Sequence, residues 1–266
     1  MTNVQILKKY NIRPSKKLGQ NFLIDKSVLK KIINVADLKS DDTVLEIGPG
    51  LGILTSELAK RVKKVIAAEK DKRLCEALKN ILKDYKNVKI VNKDILGFKF
   101  QVSSFKLIAN LPYYITSPVI RKFLEIKNPP KLMVLMVQKE VAQRICAKPP
   151  KMSLLTVAVQ FYAKPEIISY VSKKSFYPEP KVDSAIIKIL PKAVPNKIDT
   201  KKFFKLVKAG FSSKRKFLIN NLSRELKIVN CKLKIVFDQI KLGQKLRAEN
   251  LSIKDWLNLF HKLDLV

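Results

Sequence analysis

The chain has 266 residues, of which 54 are Lys or Arg and 22 are Asp or Glu, for a formal charge of +32. Most of those Lys read as solvated surface, yet the excess draws polyanions in a salt-dependent way, and Lys in place of Arg suits phosphate contacts better than base readout. Three widely spaced cysteines, a single histidine (His261) and no apolar run of bilayer length argue against a disulfide framework, zinc, a Ser-His or Cys-His nucleophile and a membrane span, and for a cytoplasmic protein.

In chain order, the basic segment Met1–Lys17 lacks the apolar core of a signal peptide. A helix capped by Asp25 is predicted through Val28, Leu29, Ile32, Ile33 and Ala36. Thr43–Ile47 is a strand, followed by the turn Gly48-Pro-Gly-Leu-Gly52 and a helix over Ile53–Arg61. Val65–Ala68 is the second strand, closed by Glu69, with a helix over Lys72–Leu82. Val88–Val91 is the third, followed by Asp94. Phe105–Ala109 is the fourth, running into Asn110-Leu-Pro-Tyr113, with a helix over Ser117–Ile126. Leu132–Val137 is the fifth, then a helix over Lys139–Ala147. Strands alternating with helices predict a parallel sheet covered on both faces, with ligands beyond the carboxyl ends of its strands, where each of these short motifs falls.

Beyond residue 150 the pattern changes. A helix is expected over Met152–Phe161, and strands over Glu166–Val171 and Ser184–Leu190 can extend the sheet as a hairpin. Pro191–Pro195 reads as a linker. Helical periodicity follows over Phe203–Ala209, Lys216–Leu226, Lys232–Ile240 and Ile253–Leu263.

The turn between Glu46 and Gly52 lets backbone approach a ligand closely. Its spacing differs from the dinucleotide fingerprint G-x-G-x-x-G, and Pro49 removes an N–H that a phosphate nest uses, so a ligand without phosphates, such as S-adenosylmethionine, fits better. Glu69, seventeen residues after Gly52, can accept from ribose hydroxyls, and Asp94 from an adenine amino group.

Asn110-Leu-Pro-Tyr113 suits a flipped-out adenine. The N6 lone pair is delocalised into the ring, and two acceptors on its hydrogens, the Asn110 side-chain oxygen and the Leu111 carbonyl, draw the nitrogen toward a nucleophilic shape. Pro112 restricts Leu111 to extended geometry and so aims that carbonyl. Tyr113 offers a stacking face. Phe176, in the proline-rich segment Ser175–Ser184, reads by itself as a core residue but can form the opposite wall. Lys214-Arg-Lys216 after Phe211, with Lys16, Lys17, Lys139 and Arg144, are candidate phosphate contacts.

Together these residues resemble the ribosomal RNA adenine N6,N6-dimethyltransferase family of the KsgA type, over almost the whole chain. Leu18–Leu23 resembles its opening motif, and Val44–Thr55, Glu69, Asp94 and Asn110–Tyr113 match its methyltransferase motifs in order. Gln138–Arg144, Phe176–Ser184, Phe211–Lys216 and Leu246–Asn250 resemble further family segments. The resemblance implies an α/β, Rossmann-like class I S-adenosylmethionine-dependent methyltransferase domain over 1–192, whose N-terminal segment meets cofactor and RNA, and a small all-helical domain over 197–266. It implies cofactor contacts at Asn21, Leu23, Gly48, Glu69, Asp94 and Asn110, and base handling by Asn110, Leu111, Tyr113 and Phe176. The implied reaction turns two adjacent adenosines near the 3′ end of small-subunit ribosomal RNA into N6,N6-dimethyladenosines; the expected partner is the immature small subunit, and a monomer is the default expectation.

The resemblance breaks at Pro149–Leu154, where many relatives carry a Tyr-Gly-Arg-Leu-Ser-like segment; Lys151 neutralises a phosphate but cannot make a planar bidentate contact. Three alternatives share much of this pattern, and the first, a DNA adenine methylase, is disfavoured because the helical tail resembles the RNA family. A resistance-type large-subunit RNA methylase has both sites, but Phe176–Ser184 and Leu246–Asn250 favour the small subunit. A ribosome assembly factor that works by binding alone would not need Glu69, Asp94, Asn110 and Tyr113 all to be present.

Overall fold

The computed structural model describes residues 3–98, 100, 102–194 and 198–263. Pro195, at the end of the expected linker, and residues 1, 197 and 266, at the ends of the expected domains, lie outside them. The chain divides into two compact units: Met1–Ala142 with Lys164–Pro191, and Gln143–Ala163 with Lys192–Val266.

The first unit opens with helix α1 (Asn3–Lys9), the two-residue strand β1 (Phe22–Leu23) and α2 (Lys26–Val35). Asp25 caps α2 by accepting from the Ser27 and Val28 amides, and the helix buries Val28, Leu29, Ile32 and Ile33 on one face. β2 (Thr43–Ile47), α3 (Ile53–Ala59), β3 (Lys64–Glu69), α4 (Lys72–Ile81), β4 (Val88–Asn92), β5 (Lys106–Asn110), α5 (Thr116–Glu125) and β6 (Leu132–Gln138) follow in alternation. β2 to β6 pair in parallel. Val44, Leu45, Val65, Leu107 and Met133 are wholly buried, as strands covered on both faces require.

Helix α6 (Lys139–Ile145) spans the sequence boundary between the units, and α7 (Leu154–Tyr162) lies in the second. β7 (Ala163–Val171), the short β8 (Phe176–Tyr177) and β9 (Ser184–Pro191) return the chain to the sheet. The seven strands run in the order β4-β3-β2-β5-β6-β9-β7, with β9 antiparallel to β6. Both late strands thus extend the sheet as expected. Strand order reverses between β2 and β5, which are neighbours, and at such a switch point the strand ends diverge to leave a crevice.

β8 pairs not with the large sheet but with β1, with Phe22 opposite Tyr177 and Leu23 opposite Phe176. The Ile24 amide donates to the Ser175 carbonyl at 2.9 Å, and the Ser175 hydroxyl to Asp25 at 3.0 Å, so the N-terminal strap is tied to the 175–177 segment over a short distance.

The second unit is helical: α7, α8 (Thr200–Gly210), α9 (Leu218–Leu226), α10 (Asn230–Gln239) and α11 (Ile253–Lys262). Its core gathers Phe203, Phe237, Trp256 and Phe260, all fully buried. Trp256 packs so closely on Gly210 that a Cβ there has no room. A division at residue 192 assigns 143–163 to the sheet domain; the contacts put it in the helical unit. Met152, Val157 and Phe161 belong to the helical core, and Phe161 stacks on Phe203 with ring centroids 4.6 Å apart. No helix among the described residues is long and apolar enough to cross a membrane.

Candidate active site

A cavity of about 280 Å³ lies beyond the carboxyl ends of β2 to β5. Its walls contain every residue expected to hold cofactor or base: Asn21, Leu23, Gly48, Glu69, Asp94, Asn110, Leu111, Pro112, Tyr113 and Phe176.

One wall is acidic. The turn after β2 holds Gly50 at φ +58°, and a Cβ there would come within 3.0 Å of the Phe22 ring; glycine alone meets both conditions. Glu69, at the end of β3, accepts from the Lys70 and Asp71 amides at 2.8 and 2.9 Å on one oxygen and from the Gly50 amide at 3.4 Å on the other. Burial pushes its carboxyl above the usual range, and those amides oppose the shift. The more weakly held oxygen keeps lone pairs for a ligand hydroxyl. Asp94 accepts from Lys70 Nζ at 2.8 Å and from the Leu96 amide at 3.0 Å, and these two contacts lower its pKa.

Glu46 also lines the cavity and is 1% exposed. Burial raises its pKa to about 8, and the Glu69 charge adds to the shift. The nearby Thr55 favours ionisation in part, yet neither its hydroxyl nor Glu46 Oε2 reaches hydrogen-bond geometry with any described group.

The other wall is neutral. Asn110, at the end of β5, donates from Nδ2 to the Asn21 carbonyl at 3.1 Å. A carbonyl only accepts, so this contact fixes which way the carboxamide faces and leaves Oδ1 on the opposite side. The Leu111 amide donates to Met136 O on β6 at 3.2 Å, and Pro112 holds φ −54° and ψ 130°. The half-buried Tyr113 hydroxyl lies 2.8 Å from Ser184 Oγ, and burial raises its pKa, so the ring stays neutral. Phe176 is 3% exposed: it joins the sheet's apolar core and lines the cavity as well.

The residues present fit S-adenosylmethionine. That molecule carries a sulfonium, an ammonium and ribose hydroxyls but no phosphate. The wall offers Glu46, Glu69 and Asp94 against Lys70 and Lys93, beside a turn in which Pro49 interrupts the run of backbone donors.

The family pattern described as "Ribosomal RNA adenine dimethylase" matches residues 11–265. The chain belongs to the ribosomal RNA adenine dimethylase family. A Dehalococcoides mccartyi protein named "Ribosomal RNA small subunit methyltransferase A" is 45% identical over 259 residues, covering 95% of this chain and 89% of that protein. A Bacillus mycoides protein of the same name is 41% identical over 276 residues, covering 98% and 94%. Among solved structures, a dimethyladenosine transferase from Plasmodium falciparum superposes with a TM-score of 0.81 at 31% identity, covering 91% of this chain and 97% of that one. The 23S rRNA methyltransferase ErmE superposes with a TM-score of 0.78 at 30% identity, covering 92% and 100%. The fold of this dimethylase family member is therefore the class I methyltransferase fold, with a C-terminal group of helices.

Sequence reasoning gave no role to Glu46, which lines the cavity, or to two residues behind its walls, Ser184 and Lys122. Glu46 carries a legible signal, a lone acid inside the apolar strand Val44–Ile47. The contact of Ser184 with Tyr113 spans 71 positions and leaves no local trace. Lys122 is one of many basic residues, and its partners are backbone carbonyls, which no side-chain pattern reveals.

Proposed function

We propose that this protein uses S-adenosylmethionine to dimethylate N6 of two adjacent adenosines near the 3′ end of small-subunit ribosomal RNA. It acts as a monomer in the cytoplasm on an immature small subunit. The observation that carries the reading is the Asn110 carboxamide, turned by the Asn21 carbonyl within a cavity that Glu69 and Asp94 also line.

When bound, the cofactor supplies an electrophilic methyl group on a sulfonium. Glu69 holds ribose hydroxyls, and Asp94 accepts from the cofactor's adenine amino group. On the other wall Asn110 Oδ1 and the Leu111 carbonyl accept from the two N6 hydrogens of the target base. This localises the lone pair on nitrogen, and no strong base is needed, because an alkylated N6 is acidic and sheds its proton readily. Tyr113 and Phe176 bracket the flipped-out ring. Rate is gained from alignment and preorganised neutral acceptors.

The RNA surface includes Lys214, Arg215 and Lys216. All three are exposed, in a turn that ends before α9 starts at Leu218; the sequence pattern begins that helix at Lys216. Asn221 Nδ2 donates to the Gly210 and Ser213 carbonyls at 2.7 and 3.0 Å, and Arg224 donates to the Ser212 and Ser213 hydroxyls, which shapes the turn before RNA arrives.

Labelled methyl transfer to unmodified small and large subunits in parallel, followed by nucleoside analysis, tests the function. Dimethyladenosine from the small subunit alone is expected. Label confined to the large subunit would replace this reading with a resistance-type activity.

A further inference from the structure

Lys122 lies in α5, and its ammonium donates to three main-chain carbonyls at once: Ile95 at 2.7 Å, Leu96 at 2.8 Å and Phe98 at 2.7 Å. Three carbonyl dipoles aimed at one point repel one another unless a cation sits between them. An ammonium, with three donors and no acceptor, matches that demand. The carbonyls belong to the loop after β4, whose residues Lys93 to Leu96 line the cavity. Asp94 accepts from Lys70 Nζ and from the amide of Leu96, a residue whose carbonyl Lys122 holds. Farther along, Phe98 and Phe100 lead into an aromatic group with Phe105 and Phe123, the last also on α5. The loop is therefore tied to α5 twice, by charge and by packing.

We infer that Lys122 is a positioning residue for the cofactor's adenine: by gathering these three carbonyls it holds the 94–98 loop in the form that presents Asp94 and its neighbouring backbone to the purine. The inference rests on the cavity being the S-adenosylmethionine site. It adds a residue that touches neither cofactor nor target base, and it assigns α5 two tasks. The start of α5 follows the Asn110–Tyr113 turn, and Lys122, near its other end, sets the loop that carries Asp94.

The test uses the full chain and two ligands, S-adenosylhomocysteine and S-inosylhomocysteine, in which a ring carbonyl replaces the exocyclic amino donor. Lys122→Met keeps most of the apolar stem and removes the charge. Lys122→Arg keeps the charge in a planar fork that cannot reproduce three converging donors. By calorimetry, wild type should prefer the adenosyl ligand. In Lys122→Met the affinity for that ligand should fall about tenfold and the preference should shrink toward unity. Lys122→Arg should recover part of both, and kcat at saturating cofactor should stay within about twofold of wild type. Equal loss of both ligands with the preference intact would reduce Lys122 to a general structural role and overturn the inference. So would unchanged binding of both. If Lys122→Met does not fold, Lys122→Arg decides, and a preference equal to that of wild type overturns it. Wild type that binds neither ligand would instead overturn the assignment of the cavity, and this inference with it.

Discussion

At the ends of β2, β3 and β4 the cavity carries Glu46, Glu69 and Asp94. At the end of β5 and along β8 it carries Asn110, Leu111, Tyr113 and Phe176 and, among the described residues, no carboxylate. The acidic wall suits a ligand held in its ground state, because carboxylates already braced by backbone amides accept from hydroxyls and amines at little reorganisation cost. The neutral wall suits a reacting amine. Its acceptors polarise N–H bonds without a group whose charge changes near neutral pH, so methyl transfer should depend weakly on pH once both ligands are bound. On the proposed reading, binding strength and chemistry fall to two different groups of residues in one cavity, and substitutions in the two groups should fail differently.

The largest effect should come from the neutral side. Asn110→Ala removes an acceptor aimed by the Asn21 carbonyl, and single-turnover methyl transfer should fall about a thousandfold, the scale seen when a preorganised hydrogen-bonding group is lost. Cofactor affinity should change far less, even though Asn110 lines the same cavity as Glu69 and Asp94. A loss of affinity as large as the loss of rate would erase the division between the walls.

Glu46 is where the acidic wall resembles the neutral one. With its carboxyl at about 8 in the folded protein against 4.5 in the unfolded chain, the folded state binds the extra proton between those values. Stability should therefore fall as pH rises through that window and be insensitive to Glu46 below it. Glu46→Gln, which imitates the protonated form, should remove that slope. In urea unfolding it should exceed wild type by a few kcal/mol near about pH 8, with the gap closing toward about pH 5. Parallel slopes for the two proteins would mean that Glu46 is ionised in the folded state.

Next in size is Glu69→Ala, which should weaken S-adenosylhomocysteine binding by roughly 10- to 100-fold in calorimetry, as expected for hydrogen bonds to a charged acceptor. Most of the lost rate should return at saturating cofactor. A fall in kcat that saturation does not repair would place Glu69 in the chemistry and blur the two walls.

The legible parts of this molecule are those with a local cause. Val44–Ile47 and Leu132–Val137 appear as apolar runs because parallel strands are buried on both faces, and the motifs at their ends are conspicuous against that background. The pairing of β1 with β8 was not legible: each strand is two residues long, too short for any period, and more than 150 positions separate them. Helix α7 is apolar in sequence without naming its partner; the place of Val157 and Phe161 in the helical core, with Phe161 against both Phe203 and Phe204, assigns it to the second unit. The place of Asn110 at a strand end was legible, but the orientation of its carboxamide depends on a backbone carbonyl 89 positions away.

Ser184→Ala should have the smallest effect and gives the finest test of how the neutral wall works. Ser184 is fully buried at the start of β9, and its hydroxyl is the only described partner of the Tyr113 hydroxyl. Removing it leaves the ring in place, since packing and the Pro112 turn still fix its backbone, but frees the ring to tilt. If Tyr113 acts as a stacking face, a small tilt costs alignment alone, so kcat should fall several-fold, about 1 kcal/mol, with KM for cofactor unchanged. Tyr113→Phe removes the same contact from the other side and keeps the aromatic face, so it should match Ser184→Ala, and the double variant should be no worse than either single one. Additive losses in the double variant would show that the two hydroxyls act separately, with the Tyr113 oxygen itself meeting the substrate.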